Sequence, residues 1–185
     1  MNGYINDRKV GQMLEYIVLG MVNYEDMTGY DIKKYIESGI SVFYKASFGS
    51  LYPILKKLAN KGLVTMYESN HGGRNKNYYH ITDEGKKAFE IWLETPIMID
   101  DGNGTQLVKI YFYDLLQEDK RRELLIRYRD NNVTYLKGLY ELEEQYLNTR
   151  NKDCYYYKLS VLYYGIRIIK ETIKWCDDII ERKDL

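Results

Sequence analysis

The chain has 185 residues, sets 27 Lys and Arg against 27 Asp and Glu, and draws its aromatic content from 21 Tyr rather than from its 4 Phe. That length supports one sizeable core or two small ones. No run of about 18 or more apolar residues indicates a membrane span, no charged segment followed by an apolar core indicates a secretory signal, and Cys154 and Cys176 match no metal or redox spacing.

Residues 1–9 are polar and expected to fray. Val10, Met13, Leu14, Ile17, Val18 and Met21 then recur at helical spacing, which predicts a helix over 10–22. A second helix starts after Thr28, its N-cap. Asp31 can return the bond as an acidic variant of the capping box, and Ile32, Tyr35 and Ile36 form one apolar face. Ser38-Gly39 is a stop signal. A third helix is capped by Ser47 or Ser50, buries Leu51, Ile54 or Leu55, and Leu58, and ends before Gly62. Pro53 is the awkward residue: it breaks a backbone bond if Ser47 caps, but sits in the tolerated first turn if Ser50 does. An irregular first turn there leaves the amides of Ser47, Gly49 and Ser50 free to face an anion.

Val64 and Met66 alternate with polar neighbours, as do Tyr79 and Ile81, which predicts a half-exposed strand pair. Gly72-Gly73 can supply positive φ in its turn. Arg74 and Lys76 then stand at a hairpin tip, where like charges gain no folding energy. Thr82 caps a further helix with acids in its first turn, running through Phe89, Trp92 and Leu93 to Pro96. Residues 95–105 concentrate Pro, Asp and Gly and mark a domain boundary, dividing the chain into 1–96 and 97–185.

Beyond the boundary no Pro occurs and three helices are predicted. Residues 105–116 place Val108, Tyr111, Phe112 and Leu115 on one side. Residues 118–147 carry Leu125, Tyr128, Asn132, Tyr135, Leu139, Leu142 and Tyr146 in a heptad seam, with Asn132 as a register-setting polar residue. Residues 155–182 carry a second seam of Leu159, Leu162, Ile166, Ile169, Ile173, Cys176 and Ile180, and beside it a stripe of Val161, Tyr164, Ile168, Trp175 and Ile179. A helix with one partner needs one stripe; two stripes imply burial against the same chain and against a second copy. The expected dimer contact is Leu159, Leu162, Ile166, Ile169, Ile173 and Ile180. Gly138 and Gly165 interrupt these helices, for close helix approach or as hinges.

Charge singles out one segment. Over 45–76, Lys45, Lys56, Lys57, Lys61, Arg74 and Lys76 face one acid, Glu68, a net +5 in a neutral chain. A basic patch on a helix-turn-helix with a wing argues for a localised polyanion-binding face.

The motifs Thr28-Gly29-Tyr30-Asp31-Ile32, Gly49-Ser50-Leu51-Tyr52-Pro53 with Leu55 and Leu58, Gly62-Leu63-Val64, and Gly73-Arg74-x-Lys76-x-Tyr78-Tyr79-x-Ile81-Thr82 with Gly85 carry a family resemblance. Four fragments in this order at these spacings are specific. The chain resembles PadR-type winged-helix transcription regulators over about residues 10–95, and in architecture beyond. The resemblance implies a mainly α fold, with a winged helix-turn-helix domain and two-stranded wing followed by a helical hairpin. It also implies a dimeric DNA-binding repressor whose third helix enters the major groove while the wing contacts backbone or minor groove.

The expected DNA-binding set is therefore Tyr30, Ser47, Gly49, Ser50, Tyr52, Lys56, Arg74, Asn75 and Lys76. Tyr30 is equally readable as core with a wet hydroxyl. The expected partners are a pseudo-palindromic operator, a second copy of the chain, and a small aromatic effector held between the winged domain and the tail, where Tyr155–Tyr157, Tyr163 and Tyr164 otherwise read as packing. His71 and His80 flank the wing turn without a third ligand, so no metal is expected. No catalytic constellation and no cofactor motif occur. The expected location is the cytoplasm, with both thiols free. A winged helix used as a protein-docking module is the alternative.

Overall fold

The computed structural model describes residues 2–44, 50–71, 74–98, 104–148 and 155–183, with the backbone alone for 2–11, 71 and 74. Residues 1–95 together with 100–116 form one compact unit; residues 96–99 and 117–185 form the other.

The first unit is built around α1 (Asn2–Tyr24). It starts at Asn2 rather than Val10, because extending a helix already nucleated costs little and no proline stops it. Leu14, Ile17, Val18, Leu19, Met21 and Val22 are all buried, so the second half of α1 is central rather than one-sided. The short strand β1 (Met27–Thr28) follows and leads into α2 (Gly29–Ser38). The capping box forms as expected: the Asp31 N–H donates to Thr28 Oγ1 at 3.2 Å, and the Thr28 N–H donates back to Asp31 Oδ2 at 3.4 Å. α2 ends at Gly39, whose φ of −124° makes the stop an ordinary turn rather than a left-handed cap. The chain then passes through a 3₁₀ turn that buries Ile40.

α3 (Leu51–Asn60) buries Leu51, Ile54, Leu55 and Leu58. Ser50 is its N-cap residue, which puts Pro53 in the first turn, where its missing N–H costs nothing. At the other end Gly62 takes φ +69°, and Leu63 N–H→Leu58 O with Gly62 N–H→Ala59 O closes a Schellman motif. The strands β2 (Val64–His71) and β3 (Arg74–Ile81) pair antiparallel from Val64↔Ile81 to His71↔Arg74. β1 adds to the far edge of β3, giving the sheet order β1-β3-β2. Val64 and Ile81 are buried on the inner face. Gly72-Gly73 lie outside the described residues. α4 (Asp83–Glu94) is capped by Thr82, whose hydroxyl oxygen accepts the Gly85 N–H at 3.0 Å.

α5 (Thr105–Tyr111) belongs to this unit, although the composition of the chain places the boundary before it. The physical reason is Phe112, fully buried at the end of α5. Its ring meets Phe89 of α4 edge-on at 5.5 Å and lies over Gly20 of α1, where a Cβ would stand 2.5 Å from the ring. Lys109, 3% exposed, donates to the Trp92 carbonyl at 2.7 Å and to the Thr95 carbonyl at 2.6 Å, so a cation closes the C-terminal end of α4. Burial pushes its ammonium down to about 8.

The second unit is a helical hairpin of α6 (Glu118–Leu147) and α7 (Tyr156–Ile180). Leu125, Tyr128 and Asn132 of the α6 seam are buried, whereas Tyr135 and Leu142 further along are exposed. The Asn132 amide donates to the Tyr128 carbonyl of its own helix at 2.8 Å, so its polar group is satisfied locally rather than across a seam. Arg129 Nε to Asp177 Oδ1 at 2.9 Å links the two helices. On α7, Leu162, Ile166 and Cys176 are buried, with Leu159, Ile169, Ile173 and Ile180 half-buried. The seam expected at a dimer contact is thus the more buried stripe and closes the chain's own hairpin. The apolar residues left in water, Val161, Tyr164 and Ile168, belong to the other stripe. A Cβ at Gly138 or Gly165 would meet nothing within 4 Å, so neither glycine serves a close approach among the described residues.

Candidate nucleic-acid interface

The packing of α3 sets its outward face. With Leu51, Ile54, Leu55 and Leu58 turned inward, Tyr52, Pro53, Lys56 and Asn60 are exposed. Tyr52 is 62% exposed and leans toward α2. A Cβ on Gly29 would lie 3.0 Å from the Tyr52 ring and 3.3 Å from a Leu55 methyl, so the start of α3 closes on the start of α2 at this glycine, and a side chain there would push those groups aside by a few tenths of an ångström. Tyr30, next to that glycine, is 69% exposed, which removes the reading of it as core. Tyr79 of the sheet lies on the same side: burial raises its hydroxyl above the ordinary phenol value, and nearby Tyr52 adds to the shift. Tyr30 on α2 and Tyr52 on α3 are thus both exposed, on helices whose starts meet at Gly29. Ser50 is half-buried at the start of α3, while Ser47, Gly49 and Lys45 lie outside the described residues.

The wing presents Asn75 and Lys76 exposed on β3, opposite Asn70 and Ser69. Arg74 pairs with His71 at the end of the ladder. The outer face of the sheet continues through Tyr67 and Tyr78, stacked across the strands at 5.7 Å. Tyr67 donates its hydroxyl to Asp26 Oδ2 at 2.7 Å, and His80 Nδ1 meets Asp26 Oδ1 at 2.7 Å. Burial raises the Asp26 carboxyl, but the bonds from His80 and Tyr67 outweigh it and hold the group below the ordinary carboxylate range. One carboxylate thus ties both wing strands to the link between α1 and α2. His80 has a structural partner, and among the described residues no grouping of His, Cys, Asp or Glu could hold a metal ion.

Two of the six basic residues counted on this segment are not free. Lys57 and Lys61 both bind the carboxylate of Glu15 on α1, Lys61 at 3.0 Å. Burial raises the Glu15 carboxyl, and the hydrogen bonds from Lys57 and Lys61 more than reverse that, leaving it below its ordinary value. Neither Asp26 nor Glu15 is foreseeable from the sequence. Each acts on partners more than 40 residues away, and a carboxylate on a helix or in a link carries no local mark of its partner.

Residues 18–91 match the transcriptional regulator PadR-like family, and residues 105–183 match the Virulence activator alpha C-term family. The negative transcriptional regulator PadR of Bacillus subtilis (strain 168) is 26% identical over 181 residues, covering 94% of this chain and 98% of that protein. Similar solved structures include Bacillus subtilis PadR in complex with operator DNA (25% identity, 92% and 97% of the two chains, TM-score 0.46). The same protein in complex with p-coumaric acid gives 23% identity over 92% and 98%, with a TM-score of 0.42. A PadR-like transcriptional regulator from Bacillus cereus gives 23% identity over 91% and 96%, also with a TM-score of 0.42. The second match begins at α5, which here packs into the winged unit. With a capped helix-turn-helix, a paired wing and a helical C-terminal hairpin in that order, this chain is similar to the PadR-like transcriptional regulators, and the family match itself lies on the winged unit, residues 18–91.

Proposed function

We propose that the chain is a cytoplasmic homodimeric repressor that binds a pseudo-palindromic operator and is released by a small-molecule effector. The observation that carries the reading is the exposure of Tyr30, Tyr52 and Lys56 on a helix-turn-helix beside a wing bearing Asn75 and Lys76. In this reading α3 lies in the major groove, with Ser50 and Tyr52, and the preceding Ser47 and Gly49, nearest the bases. Arg74, Asn75 and Lys76 grip phosphate or the minor groove. The sequence relation to a negative transcriptional regulator supports repression over activation. The exposed stripe of Val161, Tyr164 and Ile168 supports a second copy on α7. A two-fold dimer presents its two α3 helices about 34–36 Å apart, or a multiple, to inverted half-sites. The exposed tyrosines Tyr156, Tyr157 and Tyr164 support an aromatic effector, the class to which p-coumaric acid belongs.

The test is a mobility shift and footprint on DNA flanking the gene, followed by salt titration of variants on operator and random duplexes. A phosphate contact adds about 0.9 to the slope of log affinity against log salt, and a base contact discriminates by about 1–3 kcal/mol. Lys76→Ala is expected to weaken both DNAs and flatten the slope; Tyr52→Ala is expected to narrow the gap between operator and random DNA. If neither variant changes binding to any DNA, the basic face is not a DNA site and the winged helix docks a protein instead.

A further inference from the structure

Lys57 in the last turn of α3 and Lys61 at its C-cap sit one turn apart, and by charge alone both belong to the basic face. Their geometry separates them from it. Both side chains are about half in water, 53% and 48% exposed, yet both ammoniums converge on the carboxylate of Glu15, a residue only 8% exposed. Packing does not impose this. The two lysines line a groove of about 720 Å³ between α1, α3 and α4, with Ile54 and Leu58 among its walls, so their side chains have room to swing. The carboxylate is what holds them. They also lie away from the base-reading flank: Tyr52 and Lys57, five residues apart, stand about 140° apart around the helix.

We propose that Glu15 is a positioning residue that sets the strength and salt dependence of DNA binding: it withholds Lys57 and Lys61 from the DNA backbone by holding them against α1. This rests on the reading of α3 as the DNA-binding helix. A lysine on a phosphate strengthens binding to every sequence alike and carries no sequence information. Two such contacts withheld lower affinity for operator and random DNA alike, while leaving the contacts of Tyr52 and its neighbours, and with them the operator-to-random ratio, unchanged. Glu15 touches no DNA in this scheme; it positions two residues that otherwise would.

The test uses the full-length protein and fluorescence anisotropy on operator and random duplexes between about 50 and 200 mM salt. Glu15→Gln keeps the shape and removes the charge. It is expected to steepen the salt slope on operator and random DNA alike by about 0.9 for each lysine released, an extra threefold or so across that salt range per lysine, and to leave the operator-to-random ratio unchanged. Lys57→Gln and Lys61→Gln, each in the wild-type background, are expected to leave the slope unchanged. Combined with Glu15→Gln, the two lysine changes together are expected to restore the wild-type slope. The proposal is overturned if Lys57→Gln alone flattens the wild-type slope by about 0.9, since the lysine then already sits on phosphate, or if a folded Glu15→Gln protein keeps the wild-type slope. Should Glu15→Gln not fold, the two single lysine variants decide. Failure of the underlying reading looks different: the wild type itself then shows no salt-dependent binding to either DNA.

Discussion

The contact between Phe112 and Gly20 predicts a change of sign in a double-mutant cycle. Phe112 is fully buried and lies among Phe89, Tyr24 and Tyr111. Phe112→Ala therefore costs about 3–5 kcal/mol in lost burial and cavity formation, of which about 0.5–1.5 kcal/mol belongs to ring geometry. Gly20→Ala sets two effects against each other. A methyl placed 2.5 Å from the ring forces it aside at about 1–3 kcal/mol, while alanine improves the helix by about 1 kcal/mol. The net is neutral to about 2 kcal/mol destabilising. With Phe112 truncated the clash is gone and the propensity gain remains, so Gly20→Ala is then expected to stabilise by about 1 kcal/mol. The coupling energy of the cycle is about 1–3 kcal/mol. Urea denaturation followed by tryptophan fluorescence measures it. Trp92, 5.6 Å from Phe89, reports on this core, and a Trp175→Phe background removes the signal of the second tryptophan. If Gly20→Ala has the same sign in both backgrounds, α5 does not pack on α1 as described, and the assignment of α5 to the winged unit fails with it.

Lys109→Met strips the buried donor from the Trp92 and Thr95 carbonyls and is expected to cost about 1–3 kcal/mol. Because its folded value is near 8 and its ordinary value 10.5, the unfolded chain binds more protons in that interval. Wild-type stability from this group should thus rise with pH there, and the variant should lose that rise. Glu15 acts with the same sign in the acid range: its carboxyl is held below 4.5, so the advantage over Glu15→Gln is present above pH 4.5 and fades as pH falls through the folded value, as parallel denaturation curves will show. Thr28→Ala removes one side of the capping box and is expected to cost about 1 kcal/mol by the same assay. Light scattering should give twice the chain mass of 22.1 kDa; Val161→Glu with Tyr164→Glu should bring it to one chain mass, and an unchanged dimer would place the contact elsewhere.

What the sequence determined by itself is local in cause. Thr28 with Asp31 and Thr82 with Gly85 are three residues apart, so the caps are written in adjacent positions. The register of β2 on β3 follows from a two-residue alternation closed by a short turn, and the bounds of α6 from an unbroken heptad. The outward set on α3 follows once its three inward leucines and one inward isoleucine are counted. Tertiary structure decided the rest. β1 is two residues long and carries no period of its own; it exists because β3 offers it an edge. Two stripes on α7 are legible, but which one closes the hairpin depends on where α6 lies. Turn-rich composition put the boundary before α5, whereas the burial of Phe112 on Gly20 and Phe89 puts α5 with the winged unit. A charge count put Lys57 and Lys61 in the basic segment; only the packed chain shows a carboxylate 42 and 46 residues away binding both. Local patterns fix what a segment can be, because a few neighbouring residues settle their own hydrogen bonds and faces. Which charge meets which, and which apolar stripe is spent at home, depends on distances in space that only the packed chain sets.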